Sequence, residues 1–258
     1  MTLEEYFQAI PKAAAAFSGG TDSAYLLWAA KQAGCDIHAY YLNTVFQPAF
    51  ELEDAKRLAH TLDIPMTVLE FDILSVPEAA ANGPERCYFC KRALFQRLWQ
   101  QAKADGYSLL LDGTNASDDC GDRPGMRALA ELEVRSPLRA CGLTKAEIRR
   151  RSKEAGLFTW NKPAYACLAT RIPTGVPVTA ADLARVEEAE AGLSALGLSD
   201  FRVRLLDGTA RLQVPEAQMS LVLEHRRAVL EALKPRFSGV LLDLEARPSS
   251  TAGGGADG

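Results

Sequence analysis

The string SGGTDS at residues 18–23 restricts what this chain can fold into more than any other stretch. An apolar run, AAAAF at 13–17, enters it, and a second, AYLLW at 24–28, leaves it. A strand that turns through Gly19 and Gly20 and continues as a helix presents free backbone N–H groups and the positive end of a helix dipole. An anion suits that position, and two glycines let a phosphate approach the backbone closely. Ser18 and Ser23 add hydroxyl donors, Asp22 can cap the helix or hold a magnesium ion, and Gly34 sits where a helix over 22–33 would stop. The P-loop of kinases and GTPases ends in Gly-Lys-Ser/Thr, with a lysine that reaches the β- and γ-phosphates. This turn has no lysine, so transfer of a γ-phosphate is disfavoured.

The string resembles the SGGxDS motif of the PP-loop ATP pyrophosphatases. That resemblance implies ATP and magnesium held at Ser18, Gly19, Gly20, Thr21, Asp22 and Ser23. It also implies cleavage between the α- and β-phosphates, which activates a substrate oxygen by adenylation.

A chain of 258 residues can build one α/β domain and a smaller partner. Hydrophobic content of 48%, charged content of 24% and a net charge of −4 give no overall bias toward nucleic acid or anionic membranes. No apolar run approaches the roughly 18 residues that span a bilayer. The N-terminus carries Glu4 and Glu5 in place of a basic signal-peptide head. The expectation is a cytoplasmic protein with neither a membrane nor a nucleic-acid partner. In that reducing compartment Cys35, Cys87, Cys90, Cys120, Cys141 and Cys167 are expected to be buried, metal-bound or catalytic. His38, His60 and His225 form no HExxH or His-x-His pair, and each reads as a surface or core residue.

Along the chain, strands are expected at 36–42, 66–71 and 108–111 and helices at 51–62, 92–104 and 144–155, the last with a Thr144/Glu147 capping box. Alternating strands and helices give an α/β fold with a parallel sheet covered on both faces. Ligands of such sheets sit beyond the carboxyl ends of the strands. The SGGTDS turn, Asn43-Thr44 and Asp112-Gly113-Thr114-Asn115 all fall there, and adenine and ribose are expected against the later turns, at Asn43, Thr114 and Asn115. The Pro/Gly-bounded segment CLATRIPTG at 167–175 reads as an inter-domain junction. Beyond it, helices at 181–196 and 217–233 and strands at 201–206, 210–214 and 240–244 make a small α+β domain. The expected division is a PP-loop domain over 1–166, a substrate or oligomerisation domain over 167–248, and a disordered tail over 249–258.

The pair Cys87-Tyr88-Phe89-Cys90 sits among Arg86, Lys91 and Arg92, cations that favour thiolates. Three readings stay open: half of a zinc site lacking its second pair, a thioredoxin-like redox pair, or an iron–sulfur site completed by one distant cysteine. Cys167, in the junction segment, is the best candidate for that third ligand. Arg202 and Arg204 alternate on one strand face and can converge with Arg171 on a phosphate, or they form a solvated face. Trp99 and Trp160 can stack on an aromatic cation, although core packing is the simpler role.

FSGGTDS at 17–23, RCYFCK at 86–91, LDGTN at 111–115, RPGMRALAELEVRSPL at 123–138, GLTKAEI at 142–148 and KPAYACLATRIPTG at 162–175 together resemble the LarE family of ATP-dependent sulfur transferases. The resemblance implies two rounds of sulfur insertion into pyridinium-3,5-biscarboxylic acid mononucleotide, during assembly of a nickel-pincer nucleotide cofactor. In family members with a single cysteine, the residue matching Cys167 is itself consumed, leaving dehydroalanine. In members with all three, Cys87, Cys90 and Cys167 hold a 4Fe–4S cluster whose fourth iron carries a transferable sulfide, and the cluster is the form expected here. The resemblance further implies that Arg202, Arg204 and Glu190 belong to the substrate and metal site, and that the chain forms a homo-oligomer, a hexamer among the candidates. Gln213 departs from the family, where a glutamate is common. Two alternatives share the ATP turn: a tRNA thiolase, which needs a basic RNA-binding face, and an ammonia-dependent synthetase, which has no use for three cysteines.

Overall fold

The computed structural model of the chain describes residues 1–118 and 124–248; Cys120, Arg123 and the tail expected at 249–258 lie outside the described residues. A short helix, α1 (Leu3–Gln8), leads into β1 (Lys12–Ala16), and α2 (Thr21–Gln32), β2 (Asp36–Asn43), α3 (Ala49–Leu62) and β3 (Met66–Glu70) follow in strict alternation. Then come α4 (Pro77–Ala80), α5 (Arg86–Ala104), the two-residue strand β4 (Leu110–Leu111), α6 (Pro124–Glu131), α7 (Pro137–Ala140) and α8 (Lys145–Glu154). The four strands form one parallel sheet in the order β3-β2-β1-β4, with Ala14 opposite both His38 and Leu110.

Strand periodicity of two sorts the side chains between two cores. Ala13 and Ala15 of β1 and Ile37, Ala39 and Tyr41 of β2 face the core under α2 and α8, whereas Ala14, Tyr40 and Leu42 face the core under α5. The alanine run lets helices pack closely over the central strand, and it places the turn after β1 in the middle of the sheet edge.

The second half contains α9 (Ala180–Ala195), β5 (Arg202–Leu206), β6 (Thr209–Gln213), α10 (Met219–Glu224), α11 (Arg226–Leu233) and β7 (Val240–Leu242). Its three-stranded sheet runs β5-β6-β7, antiparallel then parallel. Leu183, Val186 and Leu193 of α9 pack on Val203 and Leu212, and the same core takes in Phe46, Ile73 and Ala79 from the first half.

The four helices α1, α4, α6 and α7 were not expected, the strand expected over 108–111 is reduced to Leu110–Leu111, and two expected helices differ in extent. The helix expected at 92 starts six residues earlier, at Arg86, so the CxxC pair is helical. Glu85 precedes it without any side-chain cap bond, leaving no N-terminal signal in the sequence. The helix expected over 217–233 is interrupted at His225, which ends α10 and begins α11.

Candidate active site

The turn after β1 is closed by its own side chains. Ser18 and Ser23 hydroxyls meet at 3.1 Å, and the Ser23 hydroxyl also donates to the Gly20 carbonyl at 3.3 Å. Gly19 has φ +71°, and a Cβ there would stand 3.1 Å from the Glu51 carbonyl oxygen, so the left-handed turn and the contact both call for glycine. Gly20 is the N-cap of α2. The N–H groups of Thr21, Asp22 and Ser23 therefore begin the helix without intrahelical acceptors. The Thr21 hydroxyl is committed to the Thr159 carbonyl at 2.7 Å, so Thr21 can offer a ligand its N–H but not its side chain. From the neighbouring strand end, Gly113 comes so near that a Cβ would lie 2.9 Å from Ser23 N.

A cavity of about 470 Å³ opens beyond these strand ends, and the SGGTDS turn and Cys167 both line it. Three lysines absent from the turn itself reach this cavity: Lys91, Lys145 and Lys162. Two of them rest on carboxylates, Lys145 on Asp22 at 2.7 Å and Lys162 on Asp54 at 2.7 Å. Burial raises the Asp22 carboxyl above the usual carboxylate range despite Lys145, and its Oδ1 is buried with no hydrogen-bond partner. An unsatisfied buried carboxylate oxygen at the start of a phosphate-binding helix fits a hard cation such as magnesium. Glu51, on the cavity wall, is pushed up to about 7 by burial, which Lys162 only partly offsets.

The later turns divide their work. Thr114 lines the cavity, whereas Asn115 is buried behind it with its amide 3.4 Å from Asp22 Oδ2. Asn43 turns to the carboxylate of Glu70, at 3.0 and 2.9 Å.

Cys87 and Cys90 occupy the first turn of α5, three residues apart and therefore on one face. Cys167 precedes the tight turn Leu168–Arg171. All three are free thiols. At Cys90 the expected thiolate character is not met: burial pushes its thiol up to about 12, burial raises Cys167 too, and Arg86 beside both does not offset it. The thiols are near enough that Cys167 and Cys87 each act on Cys90. Among the described residues no group of three His, Cys, Asp or Glu side chains is drawn together as a metal-ion site.

The arginines of the second half face inward. Arg171 is fully buried and forms a two-pronged pair with Glu190, Nε to Oε1 at 2.9 Å and Nη2 to Oε2 at 3.0 Å, while its Nη1 donates to the Ala166 carbonyl at 2.8 Å. Glu190 further accepts from Val203 N at 2.9 Å and from the Tyr165 hydroxyl. Arg202 donates to the carbonyls of Phe201 at 2.7 Å and Ala164 at 2.8 Å, and burial beside Arg171 pushes its pKa down to about 10. Arg204 donates to Gln213 at 2.6 Å and to the Thr170 carbonyl at 2.7 Å. The three guanidiniums thus grip the backbone of 164–170, where the sequence suggested convergence on a phosphate. Arg202 and Glu190 border a second cavity of about 560 Å³, and Lys162, Pro163, Ala164 and Tyr165 form the wall between the two cavities. Gln213 passes its amide to Asp243 at 2.8 Å, and Asp243 pairs with Arg211 at 2.6 Å. Trp99 donates to the Leu132 carbonyl and lies off both cavities, as does Trp160.

Lys145, Lys162 and Glu51 are the cavity residues that sequence reasoning missed, because each comes from an element remote from the turn. The one available signal was the lysine directly after the Thr144 cap of α8, a helix start that faces the sheet edge.

The queuosine biosynthesis protein QueC family matches residues 12–82, the stretch from β1 to the turn before α5. The chain is 32% identical over 246 residues, 94% of its own length and 89% of the relative's, to the pyridinium-3,5-bisthiocarboxylic acid mononucleotide synthase of Lactiplantibacillus plantarum. It is 36% identical over 221 residues to an uncharacterised protein of Synechocystis sp., covering 84% of this chain and 81% of that one. A tRNA-specific 2-thiouridylase MnmA of Clostridium perfringens is 28% identical over 184 residues, 56% of this chain and 51% of that enzyme. Among the described residues no helix is long and apolar enough to cross a membrane.

Proposed function

The chain belongs to the LarE family of ATP-dependent sulfur transferases, and from that premise we propose that it thiolates the carboxyl groups of pyridinium-3,5-biscarboxylic acid mononucleotide. The observation that carries the reading is the shared cavity: the ATP turn and Cys167 line one space. The N–H groups at the start of α2 receive the phosphates, Asp22 Oδ1 takes the magnesium ion, and Lys145 and Lys162 balance the charge of the departing pyrophosphate. The substrate carboxylate attacks the α-phosphorus, pyrophosphate leaves, and the mixed anhydride formed is a good electrophile. A sulfur nucleophile then adds to the acyl carbon and AMP leaves, so each carboxyl consumes one ATP.

Cys87, Cys90 and Cys167 would hold a 4Fe–4S cluster, which when bound supplies a sulfide for transfer and so allows repeated turnover. The donor set supports this: three free thiols on two segments that Arg86 joins, the sulfur ligands such a cluster takes. Arg202 and Glu190 border the second cavity, which suits the mononucleotide entering behind the 162–165 wall. Exposed Leu206, Leu241 and Leu244 around the second sheet suit a homo-oligomer, testable by sedimentation, and free thiols suit a reducing cytoplasm.

The test is incubation of anaerobically reconstituted protein with ATP, magnesium and the dicarboxylate mononucleotide. AMP, pyrophosphate and a product with sulfur in place of oxygen are expected, and the absence of all three overturns the reading. Similarity to MnmA supports a second reading, a tRNA thiolase. Tight, salt-sensitive binding of unmodified tRNA together with no turnover of the mononucleotide would favour it.

A further inference from the structure

The three cysteines come from two chain segments, and a pair of residues with no role in binding ATP joins those segments. Asn82 is completely buried at φ +56°, a left-handed turn that asparagine tolerates better than most residues. Its amide nitrogen donates to the carbonyls of Pro173 and Val176, both at 2.9 Å, and its side-chain oxygen accepts from Arg86 Nη1 at 2.5 Å. Its own carbonyl accepts from Gly175 N at 2.9 Å, and two residues earlier the Ala80 carbonyl accepts from Val178 N at 2.7 Å. Asn82 therefore stitches the turn before α5 to the loop after Cys167 on several sides at once.

Arg86 extends the stitch to the cysteines. It is the first residue of α5 and immediately precedes Cys87; its Nη2 lies 3.7 Å from Cys87 Sγ. Its Nη1 donates to the Ala169 carbonyl at 3.0 Å, two residues beyond Cys167. On the opposite side, Arg171 holds the Ala166 carbonyl against Glu190 of α9. The Cys167 segment is thus pinned from α5 by one arginine and from α9 by another, and only the first pin bears on its distance to Cys87 and Cys90.

We propose that Asn82 and Arg86 are positioning residues that form a clasp setting the separation between the Cys87–Cys90 turn and Cys167. Both bonds leave the one nitrogen Nη1, which stands one bond further from the helix than a lysine nitrogen would. Only an amide supplies both the donors that the loop carbonyls need and the acceptor that Arg86 needs. The inference draws its interest from the reading that the three thiols act together, but its test does not depend on that reading.

The test uses the full reduced chain, without metal, and dibromobimane, which becomes fluorescent when it bridges two neighbouring thiols. In the native chain a bridge between Cys167 and Cys87 or Cys90 is expected, located by peptide mass spectrometry. R86K keeps the charge but shortens the reach by one bond and removes the second nitrogen beside Cys87, and N82D replaces the donors with an acceptor facing carbonyls. Both should slow the bridging at least tenfold relative to single alkylation of Cys167, with R86K keeping the native melting temperature. If N82D does not fold, R86K decides alone. Bridging in R86K at the native rate, or no bridge in the native chain, overturns the clasp. Iron content after anaerobic reconstitution of the native chain separates the two ideas: slowed bridging in R86K with no iron uptake by native protein keeps the clasp and rejects the cluster.

Discussion

Two ion pairs, one in each half of the molecule, show how differently the same charges are used. Lys145 and Asp22 meet at 2.7 Å at the edge of the nucleotide cavity, each side chain about a quarter exposed (26% and 21%). Arg171 and Glu190 meet at 2.9 Å with side chains 0% and 5% exposed, and every nearby donor or acceptor is engaged. The first pair is partly solvated, and under the proposed function it exchanges partners when phosphate and magnesium bind. The second is fixed structure, because removing either partner strands a charge away from water. The difference separates a pair open to the cavity from a pair that fixes the backbone around it.

Glu190→Ala should have the largest effect. Leaving the Arg171 guanidinium buried without its carboxylate costs about 3–5 kcal/mol of stability, read as a lower midpoint in urea unfolding. A midpoint unchanged from native would break the contrast, since Glu190 would then be available to a ligand.

Lys145→Ala should leave the unfolding midpoint almost unchanged, because a partly exposed pair contributes about 0.2–1 kcal/mol. It should slow ATP-dependent pyrophosphate release about 10²–10³-fold, the usual cost of removing one charge-stabilising donor. Loss of stability without loss of rate would place this pair in the same class as Arg171 and Glu190.

Gly113→Ala sharpens the comparison on the nucleotide side. With Ser23 N only 2.9 Å from the added Cβ, overpacking should cost about 1–3 kcal/mol and weaken ATP binding together with stability.

Glu51 gives a pH signature. Its folded pKa is raised from 4.5 to about 7, so the folded chain binds more protons than the unfolded one between those values. Its contribution to stability is therefore most favourable below about pH 4.5 and declines as pH rises toward 7. Glu51→Gln should remove that slope, leaving the nucleotide-free variant more stable than native at pH 8 and similar at pH 4. The test is urea midpoints at the two pH values.

The nucleotide half was legible in the sequence because its determinants are contiguous. The run from Ala13 to Ser23 holds strand, turn and helix start together, and β1, β2 and β3 lie within one or two residues of where periodicity puts them. The cavity's lysines were not legible, since Lys145 and Lys162 reach Asp22 and Asp54 only through the packing of α8 and the segment after it. On the cysteine side the residues were identifiable and their environment was not. Arg86, Lys91 and Arg92 suggested thiolates, but burial against the second core outweighs them. For Arg171, Arg202 and Arg204 a sequence shows charge without showing the carbonyls of 164–170 to which each donates.

Under the proposed function ATP activation and sulfur donation occur in one cavity, with Cys167 serving the second step alone. The direct measurement is quenched-flow analysis of Cys167→Ala with ATP, magnesium and pyridinium-3,5-biscarboxylic acid mononucleotide. A burst of pyrophosphate and an adenylated substrate with no thiolated product are expected, whereas native reconstituted protein should yield AMP, pyrophosphate and thiolated product together. Thiolated product from Cys167→Ala at the native rate would contradict it.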